Sequence, residues 1–136
     1  MVERKFYRLE EVIAMSERSL PGGPKRFFDS DSMTIFLRIF DPGEETTVHY
    51  HDKSDNVIVI LEGEGTFTLD QGQPVTLGPH SFLKVPRGTV HHIKNNSDRR
   101  LVEVHIYAPK LHEAVRVEGG TKGASDLGPG REGLLR

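Results

Sequence analysis

Three histidines stand at a spacing that suits metal chemistry. His49 and His51 lie two apart in a stretch that reads as a β-strand, and His91 follows the tight turn Pro86-Arg87-Gly88. Side chains alternate across a strand, so residues i and i+2 leave from the same face, close enough to share one ion. In a closed sheet the strand that His91 begins can face the His49 strand across the interior. Three imidazoles would then point at one spot. Buried together without partners they would be costly, whereas a cation gives all three a partner. The chain has no cysteine. Thiolate ligands, disulfides and a cysteine nucleophile are excluded together, and any metal must be held by imidazole and oxygen.

Positioning such a cluster is the work of strands. Residues 8–16 carry Leu9, Val12 and Ile13 at helical spacing and predict one or two helical turns. Pro21-Gly22-Gly23-Pro24 breaks any regular element. Residues 26–28 and 33–40, separated by the turn-rich Asp29-Ser30-Asp31-Ser32, read as a hairpin. Further strands are predicted over 46–51, 57–61, 65–69, 81–85, 91–95 and 101–107. The segments between them supply positive φ, fixed φ or local side-chain hydrogen bonds. Many short strands with such turns indicate an all-β sandwich or barrel. Residues 110–117 fit a short strand or a helix equally. We take 1–117 as a single domain and 118–136, rich in glycine and charge, as a flexible tail.

Two motifs then resemble a known family. Gly43, five residues, His49, one residue, His51, and then Asn56, six residues and Gly63 resemble the first conserved motif of the cupin superfamily. Pro86, one residue, Gly88, two residues, His91, three residues and Asn95 resemble its second. The stretch 64–85 between them has the length seen in small cupins, so the core motifs run over 43–95. The resemblance implies a double-stranded β-helix of the jelly-roll type, with a short N-terminal helical turn and a glycine-rich C-terminal tail. It places His49, His51 and His91 at the family's ligand positions around one divalent transition metal: Fe, Mn, Ni, Cu or Zn. The family's metal-binding glutamate falls at Asn56, with Asp55 just before it, and either oxygen is a candidate fourth ligand. A site of three histidines without a carboxylate resembles the thiol dioxygenases.

Other residues could act beside the metal. One face of the strand 103–107 carries Glu103, His105 and Tyr107, and the other Val102, Val104 and Ile106. The simpler expectation puts the apolar face in the core and the polar face in solvent. The converse arrangement makes His105 or Tyr107 a candidate general acid or base. Arg38, inside the apolar run 35–40, is expected at the barrel surface; turned inward, it could hold a substrate carboxylate. Lys84 admits the same choice. His92 is expected on the face opposite His91, and His80 and His112 in loops.

The class of function follows from these residues. Eighteen basic against twenty acidic side chains give a net charge of −2, so composition points to neither nucleic acid nor an anionic membrane surface. No apolar run approaches the roughly 20 residues that span a bilayer. Residues 1–11 lack the apolar stretch of a signal peptide, and a cytoplasmic location is the default. We expect a metal-dependent enzyme on a small polar molecule, of dioxygenase type. The alternatives are a non-catalytic ligand-binding or sensor protein and a sugar or sugar-phosphate isomerase or epimerase. A homodimer paired through residues 26–40 is expected.

Overall fold

The computed structural model describes residues 3–17, 25–117 and 132–133. Helix α1 (Leu9–Ser16) precedes ten strands over residues 28–116: β1 (Phe28–Asp29), β2 (Thr34–Phe40), β3 (His49–Tyr50), β4 (Asp55–Glu62), β5 (Gly65–Leu69), β6 (Val75–Leu77), β7 (Phe82–Val85), β8 (His91–Lys94), β9 (Leu101–Ala108) and β10 (Ala114–Arg116). A last pair, β11 (Glu132–Gly133), lies antiparallel to β10. The strands form two antiparallel sheets in the orders β1-β2-β9-β4-β7 and β11-β10-β3-β8-β5-β6. The all-β double-stranded β-helix expected from the motifs is the observed fold. The Pro21–Pro24 break and most of the 118–136 tail lie outside the described residues.

Helix α1 forms where expected, begun by Glu11, whose carboxylate accepts the Arg8 backbone N–H at 2.9 Å. At its far end Arg100 donates to Glu17 at 2.6 Å and to Glu62 at 2.8 Å, tying the helix to the barrel. Within residues 110–117, open between helix and strand, Ala114–Arg116 form a strand. β6 was not expected; only Val75-Thr76-Leu77, pairing with Gly65 to Phe67, makes it.

Register sorts the interior into layers. Across β2, β9 and β4, Thr34 faces Tyr107 and Tyr107 faces Asn56; Phe36 faces His105 and His105 faces Ile58; Arg38 faces Glu103 and Glu103 faces Ile60. Directly paired residues project to the same side of a sheet, and these rows point into the barrel. Phe40, Ile58, Ile60, Phe67, Val85, Ile93 and Leu101 fill one end as an apolar core. The other end is polar.

Glycine is required at one motif position for a steric reason. Gly63 sits at φ +81°, and a Cβ there would lie 2.2 Å from the Arg100 carbonyl oxygen. Asn95, which closes the second motif, is a structural clamp. Its amide donates to the Phe40 and Arg99 carbonyls, at 3.0 and 2.7 Å, and its oxygen accepts from Ser97.

Candidate metal centre

β3 supplies His49, the residue after it supplies His51, and β8 supplies His91 directly opposite His49 in the register. All three are buried, and one ring nitrogen from each lies within 4.8 Å of the others. Ring centroids are 4.2 Å apart for His49 and His91, 5.1 Å for His49 and His51, and 5.2 Å for His51 and His91.

Backbone carbonyls set two of the rings. The Nδ1 of His49 lies 2.7 Å from the Thr47 carbonyl, and that of His91 lies 2.9 Å from the Thr89 carbonyl. A carbonyl only accepts, so both Nδ1 atoms carry the proton, and Nε2 is left with its lone pair. The turn before His91 is pinned from two sides. Gly88 N–H donates to the His51 carbonyl at 2.8 Å, and Val90 N–H donates to Asp70 at 3.0 Å.

Burial and mutual repulsion keep the cluster neutral. Burial, then the neighbouring His91 and His51, hold His49 well below its usual value of 6.5. Burial, aided by His91 and His105, lowers His51 to about 3, and burial lowers His91 to about 4. Nε2 of His49 and both ring nitrogens of His51 are buried without a hydrogen-bond partner. Unpartnered lone pairs of neutral imidazoles, converging from two strands, are the donor set that a first-row divalent ion takes. The residues fit a metal.

The two candidate oxygen ligands part company. Asn56 is buried on the inner face of β4, opposite Tyr107, and its amide bears on the Tyr107 hydroxyl. Asp55 is exposed and accepts the Arg87 backbone N–H at 2.9 Å, holding the turn that leads to His91. The structure brings Asp55 to that turn and not into the cluster.

The polar face of β9 corrects the simpler expectation. Glu103, His105 and Tyr107 are buried, at 0, 3 and 0 % exposure, while Val104 and Ile106 are only half-buried on the outside. An apolar face is not always the core face. Here the outer face of the sheet is apolar too, with Val57, Val59, Val104 and Ile106 on it, so hydrophobicity did not mark the inside. His105 Nε2 lies 2.6 Å from Glu103 Oε1, and its Nδ1 lies 3.2 Å from the Tyr107 hydroxyl. Phe36 stacks on His105 at 5.4 Å, and the Tyr107 ring meets His51 edge-on at 5.0 Å. Burial pushes the Tyr107 phenol above its usual value of 10.

Arg38 likewise faces inward, in the row of Glu103, where its guanidinium lies 4.9 Å from the centre of the Phe40 ring. Burial works against its charge, and Tyr107, Glu103 and Glu44 favour it. Lys84 and His80 are exposed, and His92 is set by Glu45 at 2.7 Å. Sequence reasoning did not single out Glu103, although it shares a face with His105 and Tyr107. A surface depression of about 640 Å³, lined by Glu62, Glu64, Asp98 and Arg100 among others, contains none of the three histidines.

Comparison with known proteins agrees with the fold. The family model described as a cupin domain matches residues 36–107, which hold every residue of the cluster. The chain belongs to the cupin family. It is 33% identical over 86 residues to auxin-binding protein 1 of Arabidopsis thaliana, covering 57% of this chain and 43% of that protein. It is 35% identical over 71 residues to quercetin 2,3-dioxygenase of Bacillus subtilis, covering 52% of this chain and 20% of the enzyme. This cupin therefore spans less than half the length of those two relatives. A Klebsiella pneumoniae protein with a double-stranded β-helix domain superposes with a TM-score of 0.71 at 19% identity, over 85% of this chain and 99% of that one. Among the described residues no helix is long and apolar enough to cross a membrane.

Proposed function

We propose that this cupin is a mononuclear metal enzyme acting on a small polar molecule inside the barrel, of dioxygenase type. The observation that carries the reading is the convergence of three neutral, buried imidazoles, with Nε2 of His49 and both ring nitrogens of His51 lacking any partner among the described residues. His49, His51 and His91 would hold the ion, and Asn56 stands as a fourth, neutral oxygen donor. The metal, when bound, supplies Lewis-acid polarisation and, as iron or copper, a redox partner for oxygen.

The chain's own residues supply the rest. Tyr107, held protonated by burial and close to His51, can take a proton from a ligand at its hydroxyl oxygen as its own passes to His105 Nδ1. His105 orients that hydroxyl through Nδ1 and is itself fixed by Glu103. Arg38, facing inward, adds positive charge for an anionic group. The apolar wall of Phe36, Ile58 and Val85 excludes water. The likeness to a quercetin dioxygenase supports the oxygen-dependent form of this reading.

The test is oxygen uptake by protein reconstituted in turn with Fe, Mn, Ni, Cu and Zn, against small enediols, phenols and thiols. Substrate-dependent uptake with a redox-active ion, abolished in His51→Ala, is the expected result. The likeness to an auxin-binding protein favours a second reading, a ligand-binding cupin without turnover. Ligand binding without uptake under any metal would select it.

We also propose a cytoplasmic homodimer. The half-buried apolar outer face of β4 and β9, and Phe27 and Phe28 at 41 and 43 % exposure, support pairing between copies.

A further inference from the structure

A neighbour of the histidine cluster carries a charge that no group among the described residues balances. β10 runs antiparallel to β3, with Arg116 facing His49 and Val115 facing Tyr50. His49 in turn faces His91 on β8. Paired residues on antiparallel strands project to the same face, their Cβ atoms about 4.5–5.5 Å apart. Arg116, His49 and His91 therefore form one row across three strands, on the side of the sheet that carries the cluster. Burial follows the same alternation: Arg116, Ala114, His49 and His51 are buried, while Val115 and Tyr50 are half-buried.

Arg116 is only 6 % exposed, and its Nη1 and Nη2 have no hydrogen-bond partner among the described residues. None of the ion pairs among the described residues includes it. A guanidinium cannot shed its proton to escape the cost of burial. The three imidazoles beside it are neutral and offer no opposite charge. Arg38, by contrast, has Glu103 and Glu44 in its surroundings. The unmet charge is local to Arg116. A planar fork of donors carried on the strand beside His49, in its row, is suited to a carboxylate, which it can grip through two parallel hydrogen bonds.

We propose that Arg116 is an anion-binding arm of the barrel site. It takes the carboxylate of a small organic acid whose other end reaches the His49–His51–His91 cluster. The assignment rests on reading that cluster as the ligand-binding centre, and it names the substrate class as carboxylic acids. β10 thereby becomes part of the site.

Calorimetric titration and thermal melting of the full chain test this, with malonate, acetate and sulfate as probes. Wild type, Arg116→Lys and Arg116→Met are compared, each metal-free and after zinc loading, with zinc content measured separately. Malonate raises the wild-type melting midpoint, and its affinity falls at least tenfold in Arg116→Met. Arg116→Lys, which keeps the charge without the fork, lies between, and zinc content is the same in all three. Equal malonate affinity in wild type and Arg116→Met overturns the proposal, as does a wild type that loads zinc and binds neither carboxylate. Sulfate bound as tightly as malonate overturns the assignment to carboxylates. Arg116-dependent malonate binding in a protein that takes up no zinc removes the metal reading and leaves the anion arm standing.

Discussion

Lowering the pH from 7 to 5 in the absence of metal should destabilise this barrel severely, and the histidine cluster sets the size of the effect. In the unfolded chain each imidazole takes a proton near pH 6.5. In the folded barrel His51 does so only near 3 and His91 near 4, and His49 is also held well below 6.5. Between these limits the unfolded state binds more protons than the folded one, so stability rises with pH and falls on acidification. At pH 5 the difference is about 2 kcal/mol each for His51 and His91, roughly 4 kcal/mol together, and His49 adds to it in the same direction. That is comparable to the whole net stability of a small domain, about 5–15 kcal/mol. The loss begins at pH 6.5 and levels off below about 4, where His91 starts to accept its own proton. Denaturant unfolding of chelated protein, followed by circular dichroism at half-unit steps from pH 7.5 to 5, measures it. His51→Gln removes one of the three groups, and its loss over the same interval should be smaller by about 2 kcal/mol. A wild-type protein whose stability changes by less than about 1 kcal/mol between pH 7 and 5 would refute the reasoning.

Other residues give sharper local tests. Glu103→Ala leaves the His105 Nε2–H buried without its 2.6 Å partner and should cost about 1–3 kcal/mol in denaturant unfolding. Gly63→Ala drives a methyl group into the Arg100 carbonyl at a positive φ, and a melting curve should show a loss of at least about 2 kcal/mol. Tyr107→Phe keeps the ring and removes the hydroxyl; turnover should fall about 10²–10⁴-fold while stability changes by roughly 1 kcal/mol. Light scattering on the eluting peak should give twice the chain mass, and Val59→Glu with Val104→Glu should reduce it to one.

How much was legible in the sequence depended on how local the signal was. The imidazole cluster was legible because His49-x-His51 puts two of its members on one face by alternation alone, and the Pro86–Gly88 turn delivers the third. Glycines and asparagines at turns marked most strand boundaries within a residue or two, but the strand expected over 46–51 is confined to His49–Tyr50. The inner face of β9 was misjudged because alternation says which residues share a face, not which face is inside. That choice depends on what covers the sheet, and here both faces have something to bury. Arg38 was misplaced for the same reason: its row of Thr34, Phe36 and Phe40 points inward. Arg116 left no trace in sequence, since residues 110–117 fitted helix or strand equally. Its meaning comes from a register with β3 formed across more than sixty residues of chain. Asp55 and Asn56 are neighbours in sequence but lie on opposite faces of β4, and only the structure shows which one turns inward.

Metal content tests the central claim most directly, by elemental analysis of untagged protein beside the His49→Ala/His51→Ala/His91→Ala variant. About one equivalent of a first-row transition metal in the parent and none in the variant is the predicted result. A parent that carries no metal and takes none up from Fe, Mn, Ni, Cu or Zn would contradict it.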